Sequence, residues 1–244
     1  MNGKLCFVPM PTRAILPISS ERVAFLRSSL AFSGLPESAC ALIGSVAVQR
    51  TFSRHESLFI QGQNIRNLIL LQSGTVKHTQ VSADGGQVLL RVSRAGDVVG
   101  TPGDAPSCCH TCSASAIEGC TALTWDREHI QSLLATYPQL GLNLTSILAK
   151  QIHELEDRFR EVATEKITRR LALILVRLCN QIGKRSDNGV QILLSREEIA
   201  QMAGATVFTV SRMLSRWSEK GLIVARREAV IVCDPGRLER VDQN

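Results

Sequence analysis

Residues 196–215 read REEIAQMAGATVFTVSRMLS, and the spacing within this stretch decides the fold of the last third of the chain. Ala200 is small enough for two helices to touch. Gly204 follows four residues later, where the chain must turn sharply. Val210 and Met213 fall on the inner face of the second helix, with Ile199 opposite them. Ser195 is placed as an N-cap, and Glu198 completes an S-x-x-E capping box. Thr206 is placed to cap the second helix. A small residue, a turn glycine and apolar residues at these offsets hold two short helices near perpendicular. The second helix then projects into a DNA major groove.

A helical hairpin buried in a larger core would carry a similar pattern, so the residues that follow matter. Gly221-Leu222-Ile223-Val224 leads through Arg226-Arg227 to Ala229-Val230-Ile231-Val232. This predicts a two-stranded hairpin with a basic tip, the wing of a winged helix.

The charge agrees. The 244-residue chain carries a net +6, and residues 164–244 hold 14 Lys/Arg against 9 Asp/Glu. Nearly all the excess therefore lies beside the helix-turn-helix, where phosphate neutralisation needs it. The length suits about two domains. No apolar run approaches a bilayer span, and no membrane partner is expected. The opening MNGKLCFVPMPTRAILPISS has one lysine, several prolines and no continuous apolar core, so residues 1–20 are expected to form a flexible arm rather than a signal peptide. A cytoplasmic location follows as an expectation. In that setting the eight cysteines (6, 40, 108, 109, 112, 120, 179 and 233) are not expected to form a disulfide framework.

Upstream, the pattern predicts helices over 20–31 and 36–45, the second with Leu42 and Ile43 inward. It then changes to strand period. Short apolar segments at 57–60, 68–71, 76–81, 88–92, 112–117 and 120–125 alternate with glycine turns, an all-β sandwich or barrel. Asp84-Gly85 marks a hairpin. From Arg127 the helix period returns, and Pro138 can open a long helix. Along it Leu148, Ile152, Leu155, Phe159 and Val162 step by 4, 3, 4 and 3, a heptad seam. Lys150, His153, Glu154, Glu156, Asp157, Arg158 and Arg160 are assigned to its outer face. The seam predicts a parallel homodimer; packing against its own barrel is the alternative. A further helix over 166–182 starts the last domain, and GKRSDNG at 183–189 is read as a polar loop.

This order of parts resembles the CRP/FNR superfamily of bacterial transcription regulators, over nearly all the chain after Ser20. Gly62 in IQG, Gly74 in LQSG, and Gly96, Asp97 and Gly100 in AGDVVG are similar to that family's barrel. LSREEIAQMAGATVFTVSRMLSRWSEKGLI is similar to its DNA-binding pattern nearly residue by residue. The resemblance implies an α+β protein: an N-terminal cyclic-nucleotide-binding-like β-barrel (jelly roll) over 21–136, a dimerisation helix over 137–163, and a winged helix-turn-helix over 164–244. It also implies double-stranded DNA with a pseudo-palindromic operator, a second copy of the chain, and RNA polymerase as partners. Thr206 and Thr209 match positions that touch phosphates, while Val207, Phe208 and Arg212 match positions that read base edges. Ser211, Arg216, Arg226 and Arg227 complete the candidate surface. Arg212 suits guanine O6 and N7. Val207 and Phe208 depart from the best-known members, which have Arg and Glu there. Phe208 cannot accept from cytosine N4, but it can pack on a thymine methyl.

Cyclic-nucleotide-binding members hold the ribose with a Gly-Glu pair and the phosphate with an Arg-Ser pair. Here Gly100 is followed by Thr101, and His110-Thr111 stands about where Arg-Ser belongs. Without the arginine fork the phosphate loses its bidentate partner, so cyclic AMP is not expected. Cys108, Cys109, His110 and Cys112 form the candidate effector cluster. They could ligate a haem iron, form a thiol switch, bind zinc or an iron–sulfur cluster with Cys120 added, or simply pack. No metal is assigned.

The expected function is a homodimeric, sequence-specific DNA-binding regulator. A signal at the barrel alters its contacts with helix 148–162, and the DNA-binding domains rotate about a loop near Ala163. The competing class is a ligand- or metal-binding sensor that acts through protein contacts and carries a degenerate DNA domain, supported only by Val207 and Phe208. An enzyme is not expected. There is no paired-carboxylate framework, phosphate-binding glycine loop or nucleophile elbow, and neighbours such as Cys109 and His110 on a strand point to opposite faces.

Overall fold

Four consecutive apolar residues, Leu68 to Leu71, form the middle of a strand that is covered on both faces. The computed structural model that shows this describes residues 19–100 and 109–241. The expected arm falls almost entirely outside these residues, as do Cys108 and the Thr101-Pro102-Gly103 segment. The N-terminal unit runs α1 (Ser20–Ser28), a 3-10 turn (Leu30–Phe32), α2 (Glu37–Ser45), β1 (Val48–Phe52), β2 (Ser57–Phe59), β3 (Asn67–Ser73), β4 (Thr75–Val81), β5 (Gln87–Arg94), β6 (Val98–Val99), β7 (Ser113–Ala116), β8 (Cys120–Asp126) and α3 (Arg127–Thr136).

The strands form two antiparallel four-stranded sheets, ordered β1-β8-β3-β6 and β2-β7-β4-β5. This is a jelly roll of two facing sheets rather than a closed barrel. Between them lie Phe52, Phe59, Ile69, Leu71, Val76, Ala114 and Ala122. On the other face of the first sheet, Leu68, Leu70, Leu123 and Trp125 pack against α1, α2 and α3. The period of two sends alternate β3 residues to each core, so the strand reads as a continuous apolar run. Trp125 donates its indole N–H to the Ile43 carbonyl at 2.8 Å, anchoring α2. Ile43 is buried, but Leu42 is 52% exposed and faces solvent rather than the core. The first helix also differs from expectation. It stops at Ser28, because Ser29 turns extended and caps the 3-10 turn that holds Ala31.

Helix α4 (Pro138–Thr164) follows, with proline in its first turn. It carries two stripes. Leu140, Leu144 and Ile147 pack on the N-terminal core. Gln151, Glu154, Arg158 and Glu161 continue that inner stripe as polar residues. Glu154 and Arg158 thus leave the outer face to which the sequence assigned them. Arg91 donates to Gln151 at 2.7 Å, and Arg158 donates to the Leu90 carbonyl. The break after α4 comes at Glu165 and Lys166, which are extended, not at Ala163, which is helical.

The C-terminal unit comprises α5 (Ile167–Ile182), β9 (Lys184–Ser186), β10 (Gly189–Ile192), α6 (Arg196–Ala203), α7 (Val207–Glu219), β11 (Ile223–Ala225), β12 (Val230–Val232) and α8 (Pro235–Glu239). The segment read as a polar loop at 183–189 is a hairpin. Its second strand pairs with β12, and the sheet order is β11-β12-β10-β9. Its position is tight, since a Cβ at Gly189 would run into the Val232 carbonyl. Leu171, Leu175, Ile199, Val210, Leu214, Trp217 and Val232 form the core of this unit. Leu89 and Val92 of β5, with Ile117, belong to the same cluster. The outer face of the second sheet is therefore continuous with the core of the C-terminal unit.

Gly74 closes the β3–β4 turn at φ +84°, and an added Cβ would lie 2.6 Å from Cys120 Sγ and the Gly119 carbonyl. Gly74→Ala should destabilise the fold by about 2–4 kcal/mol, from left-handed strain plus overpacking. Urea unfolding with an unchanged m-value checks this.

A candidate nucleic-acid interface and the junction behind it

Helix α6 is built from its cap inward. Ser195 Oγ accepts from the Glu198 N–H at 3.2 Å, and Glu198 Oε2 accepts from the Ser195 N–H at 2.7 Å, a complete capping box. Gly204 ends the helix in the left-handed region at φ +60°, so the chain can turn at once. Thr206 then caps α7, accepting from the Thr209 N–H at 3.1 Å. The inner face of α7 is spent on Val210, Met213, Leu214 and Trp217, all buried. Phe208, Arg212 and Arg216, spaced i, i+4 and i+8, form an exposed row. Phe208 is 75% exposed, which rules out its use as a core aromatic. Val207 is also exposed, while Ser211 and Thr209 are half-buried beside the row. Among the described residues neither Arg212 nor Arg216 makes an ion pair. The wing tip between β11 and β12 presents Arg226 and Arg227 to solvent. Four cations and capped amides on one edge suit a phosphate backbone, and an apolar residue with a guanidinium on the projecting helix suits base edges.

Behind this surface lies a junction that sequence reasoning missed. Lys77 of β4 pairs with Glu198 Oε1 at 2.5 Å, and both side chains are less than one-fifth exposed. The one carboxylate therefore caps α6 and binds the N-terminal unit. Burial pushes the Glu198 carboxyl up, but the Lys77 ammonium and the Ser195 N–H outweigh it and hold its pKa below the ordinary glutamate value. Arg54 reaches Glu228 on the wing tip at 2.7 Å, and Lys184 pairs with Glu118. Arg170 is buried within the C-terminal unit. It donates to the Ala203 carbonyl at 2.8 Å and to the Val162 and Glu165 carbonyls at 3.2 Å. It thus satisfies one carbonyl in the last turn of α4 and that of its C-cap, and staples the hinge. Glu161, also buried, accepts from Arg177 of α5.

On α4, Ile152 is 56%, Leu155 43%, Phe159 77% and Val162 50% exposed, with Leu148 half-buried. The heptad seam lies on the side away from the inner stripe.

Among the described candidate effector residues, Cys109 is set apart from His110 and Cys112. Cys109 is exposed, its thiol 3.2 Å from Asn64 Oδ1. His110 points inward and stacks on Phe59, with ring centroids 3.7 Å apart and planes 9° off parallel. Cys112 is buried with its sulfur 3.9 Å from His78 Nδ1. Cys120, which the zinc or cluster reading added, instead donates to the Thr75 and Glu118 carbonyls. Among the described residues no group of three or more His, Cys, Asp or Glu is placed to hold a metal ion. The residue that sequence reasoning missed here is His78, fully buried, with Nε2 2.9 Å from Ser93 Oγ. His78, Ser93 and Cys112 form a buried polar cluster inside the roll, next to the stacked Phe59 and His110. Beside Phe59 and His110 opens a cavity of about 320 Å³, bounded also by Gln63, Asn64, Arg66 and Asn67. Burial pushes the Cys112 thiol up, partly offset by Arg91, so it is not a ready thiolate.

Known proteins place these features in context. A family model described as a cyclic nucleotide-binding domain matches residues 49–137, and one described as a Crp-like helix-turn-helix domain matches 169–241. A CRP-like cAMP-activated global transcriptional regulator of Mycobacterium tuberculosis is 26% identical, over 86% of this chain and 94% of its own. The transcriptional activator protein Anr of Pseudomonas protegens is 28% identical over 78% of each chain. Among solved structures, FixK2 from Bradyrhizobium japonicum superposes with a TM-score of 0.69 at 20% identity, covering 82% of this chain and 98% of its own. No helix among the described residues is long and apolar enough to cross a membrane.

His78 is held well below the ordinary histidine pKa, by burial first and then by Arg91 and His110; burial lowers His110 in the same direction. Below about pH 6.5 the unfolded chain therefore takes up protons that the folded chain does not. Stability should fall with decreasing pH there, by up to ~1.4 kcal/mol per pH unit for each histidine. His78→Gln should flatten that slope in denaturant titrations between pH 5 and 7, and an unchanged slope would remove His78 as its source.

Proposed function

The chain belongs to the CRP/FNR superfamily of transcription regulators with a DNA-binding helix-turn-helix, and from that premise we propose that it acts as a homodimer on a pseudo-palindromic operator. One observation carries this reading: the capped α7 spends its inner face on the core and leaves Phe208, Arg212 and Arg216 as a solvent-facing row. Val207 and Phe208 contact base edges, Arg212 reads guanine, Ser211 and Arg216 flank them, and Thr206, Thr209, Arg226 and Arg227 hold phosphates. The seam of Leu148, Ile152, Leu155, Phe159 and Val162 closes against its twin. That burial removes four largely exposed hydrophobic side chains from water.

The jelly roll takes a signal other than a cyclic nucleotide. His110, at the position that the family's phosphate-holding arginine would occupy, is buried, stacked and biased to its neutral form. It offers no bidentate cation to a phosphate. Haem or thiol chemistry at Cys108, Cys109, His110 and Cys112 remains within this reading as the signal's class. The protein works in the cytoplasm, and RNA polymerase is the partner through which a bound dimer acts. Signal binding shifts the population between dimer states that differ in the spacing of the two α7 helices, with the hinge at Glu165 and Lys166.

The test is Arg212→Ala. Affinity for a duplex selected by the wild-type protein should fall about 5- to 150-fold, the loss of ~1–3 kcal/mol for a bidentate base contact. Binding to unrelated duplex, and its salt dependence, should stay close to wild type. Preference surviving the substitution would show that Arg212 does not read the operator.

A further inference from the structure

Neighbouring residues on a strand face opposite ways, and in β4 those two faces belong to two different units. His78 points into the jelly roll, where it meets Ser93 at 2.9 Å and lies 3.9 Å from the Cys112 sulfur. Lys77 points outward to Glu198 at 2.5 Å. The pairing of β4 with β5 shifts register between His78 and Thr79. A bulge at that point gives the strand local slack while β7 and β5 still hold it on both sides. Around the ion pair, Leu89, Val92 and Ile117 join the core of the C-terminal unit. Apolar packing on one side of this part-buried pair transmits displacement rather than absorbing it, and on its other side lies a cavity lined also by Gln87 and Gln201. Glu198 has no spare oxygen for these two tasks: Oε1 takes Lys77, and Oε2 takes the Ser195 N–H that starts α6.

We propose that β4 is a lever between the interior of the roll and the helix-turn-helix, acting through the Lys77–Glu198 ion pair on the capped first turn of α6. This rests on the reading of α7 as the base-reading helix, because α6 positions α7 across the turn at Gly204. Occupancy of the cavity beside Phe59 and His110, or rearrangement of the adjoining His78, Ser93 and Cys112, shifts β4, and Lys77 carries that shift to the Glu198 carboxylate. The coupling is direct, within one chain, and needs no change in α4. Lys77 and Glu198 are positioning residues; neither is assigned to touch DNA.

A double-mutant cycle tests the lever without knowledge of the signal. The perturbation is Ser93→Ala, which removes the partner of His78 Nε2 inside the roll. The disconnections are Lys77→Met and, separately, Glu198→Gln, whose amide oxygen can still serve the Ser195 cap. The probe is a duplex selected from a random pool by the wild-type protein, and the second readout is hydrogen exchange of the amides at 196–199. In the wild-type background, Ser93→Ala should change duplex affinity by at least about fivefold and alter exchange at 196–199. In either disconnected background it should change neither, a coupling within the usual allosteric range. Equal effects of Ser93→Ala in connected and disconnected backgrounds would overturn the lever. So would a Ser93→Ala protein unchanged in both readouts. If the wild-type protein selects no duplex, the DNA-reading assignment fails, while the exchange measurement still decides the lever.

Discussion

The carboxylate of Glu198 does two jobs that would ordinarily fall to separate residues. It completes the cap that starts the helix-turn-helix, and it closes a part-buried ion pair with Lys77 on the second sheet. A buried carboxylate is costly unless its lone pairs are met, and here both oxygens are engaged. The geometry of α6 is thereby tied to the geometry of β4. Because Gly204 allows an immediate turn into a helix capped by Thr206, the placement of α7 follows from that of α6. The apolar contact of Leu89, Val92 and Ile117 with the C-terminal core supplies the rigidity that makes this tie meaningful.

A second set of polar contacts governs the hinge. Arg170 satisfies one carbonyl in the last turn of α4 and that of its C-cap, and Glu161 accepts from Arg177 at the same place. The inner stripe of α4 changes from leucine and isoleucine near the jelly roll to glutamine, glutamate and arginine beyond it. Apolar packing fixes the first half of the helix to its own unit, and specific hydrogen bonds fix the second half. A helix held by directional bonds has a small number of discrete arrangements, which is what a two-state regulator requires. Within the largely apolar interior of the roll, His78, Ser93 and His110 form a polar cluster. Burial holds His78, hydrogen-bonded to Ser93, well below the ordinary histidine value, so this pair does not titrate near neutrality.

What could be read in advance was local. The capping box spans four residues and depends only on residue type, so Ser195 and Glu198 were legible, as were the left-handed turn at Gly204, the cap at Thr206, the exposed face of α7 and the seam of α4. The pairings that join the units were not. Lys77 and Glu198 lie far apart in sequence, and a solvated lysine looks the same in sequence as a paired one. Arg170 binds backbone carbonyls, which carry no sequence signature. The 183–189 hairpin reads as loop because its stability comes from β12, some forty residues on. In β1 the exposed Gln49, Arg50 and Thr51 give no alternation to detect. The cysteines show the limit of reading proximity from sequence, since Cys109, Cys112 and Cys120 have three different surroundings.

We propose that two α7 helices, held by the α4 seam, read one face of a duplex. Selection from a pool of random duplexes by the full-length protein tests it most directly. The account predicts enrichment of an inverted repeat whose half-site centres lie about 10–10.5 base pairs apart, with guanine fixed at one position of each half-site. Enrichment of an isolated half-site would contradict the dimer, and no enrichment would contradict the assignment of α7 as a base-reading helix.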